Sequence, residues 1–278
     1  MKQLLSIDLQ KYWKNKASRI LIFCYFIILS FIALLATVKF DFGIFQFHMA
    51  ELGMFSFPII WHFNTYVASI FKLFPAIVIV SMVSNEYNYG TLKQNLIDGM
   101  SKQEFILSKL LTIVLFASVS TVFIFLMSLF LGLSFSSQTD VGIVFSGLEY
   151  LLAYFVKLVG FLSFCLFLGI LVKRAAFALG FLLVWNIIEG IIKELLPFNF
   201  SGEGNSSFTL SQFIPLESMS NLIVEPFTRL STLKNIGTQI GIVNNKDYGV
   251  HWYGILIVLI WGALFILMSF KLLEKRDL

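Results

Sequence analysis

With 58% hydrophobic and only 13% charged residues in a chain of 278, and a mean hydropathy of +0.86, this sequence has too little polar surface to cover a water-soluble globule. Composition therefore excludes a soluble domain and places the chain in a lipid bilayer. The formal net charge of +4 comes from lysines and arginines gathered in short segments between apolar runs, so it calls for no nucleic-acid partner.

In residues 1–14, Met1, Leu4, Leu5, Leu9, Tyr12 and Trp13 recur at helical spacing, with Lys2, Gln3, Ser6, Gln10, Lys11 and Lys14 opposite. This pattern predicts a helix lying in the membrane surface over 1–16. The charge-free run 20–38 is too long for a signal-peptide core and lacks a small-residue cleavage site, so a retained first span is expected over 17–39. The Phe-rich stretch 40–61, with a Pro near its end, reads as a small outer element. A second span follows at 63–84, carrying only Lys72, and a third at 105–133, uncharged from Leu110 onward. The fourth, 149–172, contains Lys157, and the fifth, 175–196, contains Glu189, Lys193 and Glu194. Residues 197–251 form a long outer loop. It opens with the polar FSGEGNSS, then continues as FTLSQFIPLESMSNLIVEPF, which has enough apolar residues for a short helix or two. A sixth span is expected at 252–272. Because the apolar runs are continuous and not alternating, helices are implied rather than a barrel. The predicted fold is an all-α integral membrane protein of six transmembrane helices with an N-terminal interfacial helix.

Orientation follows from the basic residues, which accumulate in short cytoplasmic loops. Lys2, Lys11, Lys14, Lys16, Arg19, Lys93, Lys102, Lys109, Lys173, Arg174, Lys271, Lys275 and Arg276 fall on one side, thirteen in all, against Lys39, Arg229, Lys234 and Lys246 on the other. Both termini are expected in the cytoplasm.

Between the second and third spans lies a polar island, SNEYNYGTLKQNLIDGMSKQEFILSK, residues 84–109. Thr91-x-x-Gln94 has the form of a capping box, Gly99 supplies a left-handed helix end, and Ser101-x-x-Glu104 is a second box, with Met100 and Phe105 placed as a hydrophobic staple. A helix of about seven residues is predicted at 92–98, within a cytoplasmic segment spanning 85–104. A two-turn helix is marginal by itself, so its apolar residues must be held by something. Tyr87, Tyr89, Leu92, Leu96 and Ile97 either pack back on the bundle or form a knob for a cytoplasmic partner.

The sequence carries few motifs for chemistry. None of the 18 glycines is followed by Lys, so there is no P-loop. His48, His62 and His251 are scattered near the outer side, with no zinc-peptidase spacing, and no metal site is predicted. Cys24 and Cys165 lie inside spans as packing residues. The intramembrane charges are more informative. At 1.5 Å per residue, Lys157, Glu189 and Lys72 lie about 22, 21 and 18 Å from the cytoplasmic ends of their spans. Similar depth makes a pair between Glu189 and Lys157 or Lys72 plausible, with Glu189 and Lys193 at i, i+4 extending the cluster, since a lone charge at mid-membrane is costly.

The island resembles the permease subunits of ABC-2 type exporters: a Glu after the second span, Gly-Thr-Leu, a short helix, a turn, and a polar start to the third span. The matching residues are Glu86, Gly90, Thr91, Leu92, Leu96, Ser101, Lys102 and Lys109; Gly99-Met100 stands where that family usually has a proline region, and Lys102 where it usually has Arg. The resemblance implies a multi-pass permease of the bacterial cytoplasmic membrane, acting as a homodimer or pseudo-symmetric pair. It implies that a short coupling helix, with Glu86, Tyr87, Tyr89, Gly90, Thr91, Leu92, Leu96, Ser101 and Lys102, docks on a separate ATPase subunit. ATP and Mg would be bound by that partner, not by this chain, and the outer loop leaves room for accessory proteins. The rival reading is an ion-coupled secondary transporter using Lys72, Lys157 and Glu189. A membrane-embedded enzyme lacks any recognisable catalytic pair.

Overall fold

The computed structural model describes residues 2–35, 38, 40–41, 46–47, 53–136, 139–195, 210–229 and 247–276. Among them the regular structure is helical apart from one two-residue antiparallel pair, in which Phe40 pairs with Phe47 and Asp41 with Gln46. In chain order the helices are α1 (Lys2–Lys14), α2 (Lys16–Leu35), α3 (Ile59–Ile70), α4 (Leu73–Asn88), α5 (Thr91–Ile97), α6 (Lys102–Phe135), α7 (Val141–Val144), α8 (Glu149–Val172), α9 (Ala175–Leu195), α10 (Pro215–Asn221) and α11 (Trp252–Glu274). Among the described residues, five helices are long and apolar enough to cross a membrane, or six if the bent pair α3 and α4 makes one span. The protein is thus an all-α, multi-pass membrane protein.

Burial shows how the bundle is arranged. The span built on α8 is 72% buried within the chain, whereas the spans built on α2, α6, α9 and α11 are 17–28% buried. An apolar helix hidden on all sides is a central one, and apolar helices left open belong against lipid. Helix α8 accordingly packs against α3, α4, α6, α9, α10 and α11. Its approach to α11 is close: a Cβ on Gly262 would lie 3.6 Å from the Cα of Gly160, and one on Gly160 would meet Val258 at 2.8 Å. Small residues let helix backbones approach in lipid, where apolar burial alone gives no preference for helix over tail. Some polar side chains in the core satisfy one another. The hydroxyls of Tyr25, Ser120 and Tyr154 form a buried triangle with edges of 2.5–2.8 Å, and Asn64 Nδ2 donates to Ser128 Oγ at 2.8 Å.

The second span departs from expectation. It starts earlier, at Ile59, and is broken between Ile70 and Leu73 with a bend of 42°. The cause is Pro75 in the first turn of α4: lacking an N–H, it cannot donate to the Phe71 carbonyl, which instead accepts from Phe74 N at 3.1 Å. Helix α6 is also longer than predicted. Its 34 residues span about 51 Å at 1.5 Å each, more than an upright helix needs to cross a hydrocarbon core of roughly 30 Å.

One end of the bundle gathers α1, the start of α6, the turn at Lys173 and the end of α11; we call it the terminal end. Lys102 Nζ donates to the Glu274 and Arg276 carbonyls at 3.1 and 3.0 Å. The Arg276 guanidinium in turn donates to the carbonyls of Ile170 and Leu171. Each cation sits on the exposed carbonyls of a helix C-terminus, where the helix dipole favours positive charge. At the opposite end, α10 buries Leu216 and Met219 against α8, α9 and α11. This is one of the short helices expected in the outer loop; FSGEGNSS and residues 42–45 and 48–52 of the stretch 40–61 lie outside the described residues.

Candidate functional site

At the terminal end, four helices are joined by a buried ion cluster. Lys109, on the second turn of α6, places Nζ 2.6 Å from Asp8 Oδ1 of α1 and 3.1 Å from Glu86 Oε1 of α4. Lys11 of α1 reaches the same Glu86 oxygen at 2.8 Å. The second oxygen, Glu86 Oε2, accepts from Thr91 Oγ1 at 2.8 Å. Lys109 is 1% and Glu86 3% exposed, so neither charge is tolerable alone; two cations against two carboxylates make the group neutral, which is what a buried ionic cluster requires. Burial, with the Asp8 and Glu86 carboxylates nearby, pushes the Tyr12 phenol well above its ordinary range, so that Tyr12 stays a neutral hydrogen-bond donor.

The cluster anchors the short helix. Gly90, at φ +67°, turns the chain out of α4, a conformation that costs Gly little, and its carbonyl accepts from Gln94 N at 3.1 Å. The helix runs Thr91–Ile97, near the predicted 92–98. Its predicted capping box does not form: Thr91 gives its hydroxyl to the Glu86 carboxylate, and Gln94 donates to Asp98 Oδ1 at 2.9 Å. The helix starts one residue earlier than the box requires: Gly90 is the N-cap and Thr91 the first helical residue, so Gln94 N finds the Gly90 carbonyl and the Thr91 hydroxyl is free to donate to a carboxylate. The far end follows expectation, because Gly99 at φ +97° lets Gly99 N reach Leu96 O at 3.2 Å and Met100 N reach Asn95 O at 3.0 Å, a Schellman closure. Ser101 then caps α6 in a complete capping box, with Ser101 N to Glu104 Oε2 at 2.8 Å and Glu104 N to Ser101 Oγ at 3.1 Å.

Which side chains the short helix shows is a correction. Leu92 is 1% exposed and so does not project toward a partner, and Leu96 is half-buried against the core; together they hold the two-turn helix to its own bundle. Tyr87 is likewise partly buried, with the Lys173 ammonium 5.4 Å over its ring. The exposed apolar residues are Tyr89 at 78% and Ile97 at 69%, and with exposed Lys93 between them they are spaced four apart.

The intramembrane charges do not pair as anticipated. The Glu189 carboxylate accepts from Trp185 Nε1, and from the backbone N–H groups of Leu216 and Glu217 at 2.9 and 3.0 Å. It therefore caps the N-terminus of α10, whose dipole and free N–H groups suit an anion. Lys193 pairs with Glu217 at 2.6 Å, not with Glu189. Lys157 Nζ reaches Ser69 Oγ at 3.3 Å and the Ser220 carbonyl at 3.5 Å, near the C-terminal ends of α3 and α10. Lys72 lies 4.4 Å over the Phe161 ring. Two helix termini and an aromatic face stand in for the expected carboxylate, because α10, in the long segment between α9 and α11, folds back onto α8 and α9.

Two participants escaped the sequence reading. Asp8 shares the face of Leu5 and Tyr12 at i, i+3 and i, i+4 spacing, a charge on the apolar side of an amphipathic helix. That position was the available signal of a buried partner. Pro75, inside an otherwise apolar run, signalled the break in the second span.

No curated protein matches the chain. A family model described as a protein of unknown function, DUF2705, matches residues 38–278. The match covers the bundle from the end of the first long helix onward and includes the short helix, Glu86 and Lys109, and on that basis the chain belongs to the DUF2705 family.

Proposed function

We propose that the protein is the permease subunit of an ATP-driven, ABC-2 type export complex with six spans, α3 and α4 together making the second. In this reading the terminal end faces the cytoplasm of a bacterial cell, in keeping with the thirteen basic residues assigned to that side. Helix α5 is the coupling helix, and it docks on a separate ATPase subunit that binds ATP and Mg. Two permease chains enclose the path between them. This chain moves an unidentified substrate and performs no hydrolysis.

The observation that carries the reading is the way α5 is mounted. Its first residue, Thr91, holds Glu86, and Glu86 is tied to α1 through Lys11 and to α6 through Lys109. A push on α5 is therefore delivered to α1, α4 and α6 and not absorbed in a loop, and Lys102 carries it on to the end of α11. The exposed Tyr89, Lys93 and Ile97 offer the contact surface. The test is to purify the tagged chain from its own membranes and assay ATP hydrolysis, for wild type and for a Tyr89→Ala/Ile97→Asp variant. A Walker-type ATPase that accompanies the wild type and is lost from a normally folded variant supports the proposal; an equal yield of that ATPase with both refutes the role of α5.

A second reading, the ion-coupled secondary transporter, draws on the broken second span, which places Ser69 and Lys72 beside Lys157 and Phe161 on α8. Broken helices with charges near mid-membrane are a transporter feature. Uptake or efflux by proteoliposomes driven by a pH gradient, with no ATPase present, would favour it.

A further inference from the structure

Between α1, the end of α4 and the start of α5 lies an open groove of about 300 Å³. Lys11, Lys14, Asn15, Tyr12, Asn85 and Tyr89 are among the residues that line it. Three observations bear on what would fill it. The first is electrostatic: Lys11 and Lys14 in the wall and Lys109 behind it outnumber the carboxylates Asp8, behind it, and Glu86, in the wall, by one; both Glu86 oxygens have partners in Lys11, Lys109 and Thr91, and Asp8 Oδ1 has Lys109, while Asp8 Oδ2 has none among the described residues. The second is an unspent donor. Tyr12 is buried, lines the groove, and its hydroxyl has no hydrogen-bond partner among the described residues. A buried polar group without a partner is costly, so a site that leaves one open asks for an acceptor. The third is location. Helix α1 leaves Ile7, Leu9 and Trp13 exposed beside its lysines, the composition of a helix seated at the lipid interface. Trp13 packs edge-on against Phe23 of the first long helix at 5.9 Å, as a Trp at the boundary between headgroups and acyl chains does.

The geometry points to a binding site for the headgroup of an anionic phospholipid in this groove, with the phosphate between Lys14 and Lys11, the Tyr12 hydroxyl donating to it from the floor, and the Asn15 and Asn85 amides at the sides. A soluble phosphate compound would use the same donors, but the interfacial setting of α1 puts lipid headgroups at the mouth of the groove at high local concentration. A lipid held there touches Lys11, and so stiffens the mounting of α5; this holds whether or not α5 docks on an ATPase.

The test uses the full-length protein, delipidated in detergent and followed by native mass spectrometry and thermal unfolding. Phosphatidylglycerol is expected to remain bound and to raise the melting temperature more than phosphatidylcholine does. Lys14→Gln, at an exposed position, should weaken retention about fivefold, the usual worth of one lysine at an anionic surface. Tyr12→Phe should weaken it as well, at unchanged ring volume. Equal binding of the two lipids, or unchanged phosphatidylglycerol binding in both variants, overturns the site. Displacement of the lipid by inorganic phosphate at matched concentration overturns the lipid in favour of a soluble ligand.

Discussion

Replacing Lys109 with Met keeps the volume of the side chain nearly constant and removes its charge, so the change isolates the electrostatic work of the cluster. Lys109 is 1% exposed and holds Asp8 at 2.6 Å and Glu86 at 3.1 Å. Without it Glu86 keeps Lys11 at 2.8 Å and Thr91 at 2.8 Å. Asp8 fares worse, since its other oxygen, Oδ2, already has no partner among the described residues. Breaking a buried ion pair from one side costs about 3 to 5 kcal/mol. At about 2 °C per kcal/mol for a chain of this length, Lys109→Met should lower the melting temperature of the detergent-purified protein by roughly 6 to 10 °C. Adding Asp8→Asn in the same molecule removes the stranded charge and should return most of the loss, because Glu86 remains paired with Lys11. A single variant that melts as the wild type does, or a double variant no more stable than the single, would refute the assignment of these charges to one cluster.

Leu92→Ala should cost about 2 to 5 kcal/mol as a core truncation and loosen α5, whereas Ile97→Ala, at an exposed site, should leave the melting temperature within about 1 °C of wild type; protease sensitivity of residues 91–97 reads the difference. Glu189→Ala should destabilise by about 1 to 3 kcal/mol through loss of two charge-assisted bonds at the start of α10, and Lys157→Met in the same chain should not rescue it. Rescue in a thermal melt would restore the direct pair that the geometry lacks. Gly160→Leu should drive α8 from α11, costing about 1 to 3 kcal/mol or more, visible as a lower melting temperature with unchanged helical circular dichroism.

The legible parts of this fold are those set by local rules. Apart from the second span, which is broken into α3 and α4, long apolar runs placed the long helices to within a few residues, and the Ser101 capping box and the Gly99 turn formed where expected, because each depends on near neighbours in the chain. What was not legible depends on partners far away in the chain. Thr91 fits a capping box in isolation, but its hydroxyl goes to Glu86, whose carboxylate is held in place by Lys109 and Lys11 from two other helices. Depth along separate spans suggested a Glu189 pair with Lys157, yet depth says nothing of azimuth. Helix α10 supplied N–H groups to one charge and a carbonyl to the other. Leu92 and Ile97 are both aliphatic residues of one two-turn helix, and only the docking of that helix on α4 distinguishes the buried one from the exposed one.

The central claim is that the outer face of α5 meets an ATPase. A photo-crosslinking amino acid placed at Ile97, 69% exposed, and separately at Leu92, 1% exposed, examines it residue by residue in intact cells. The account predicts that irradiation at position 97 yields an adduct whose mass-spectrometric identity is a P-loop ATPase, while position 92 yields crosslinks within the chain alone. A folded, membrane-inserted protein that gives no ATPase adduct at position 97, in cells where its transport is active, would contradict it.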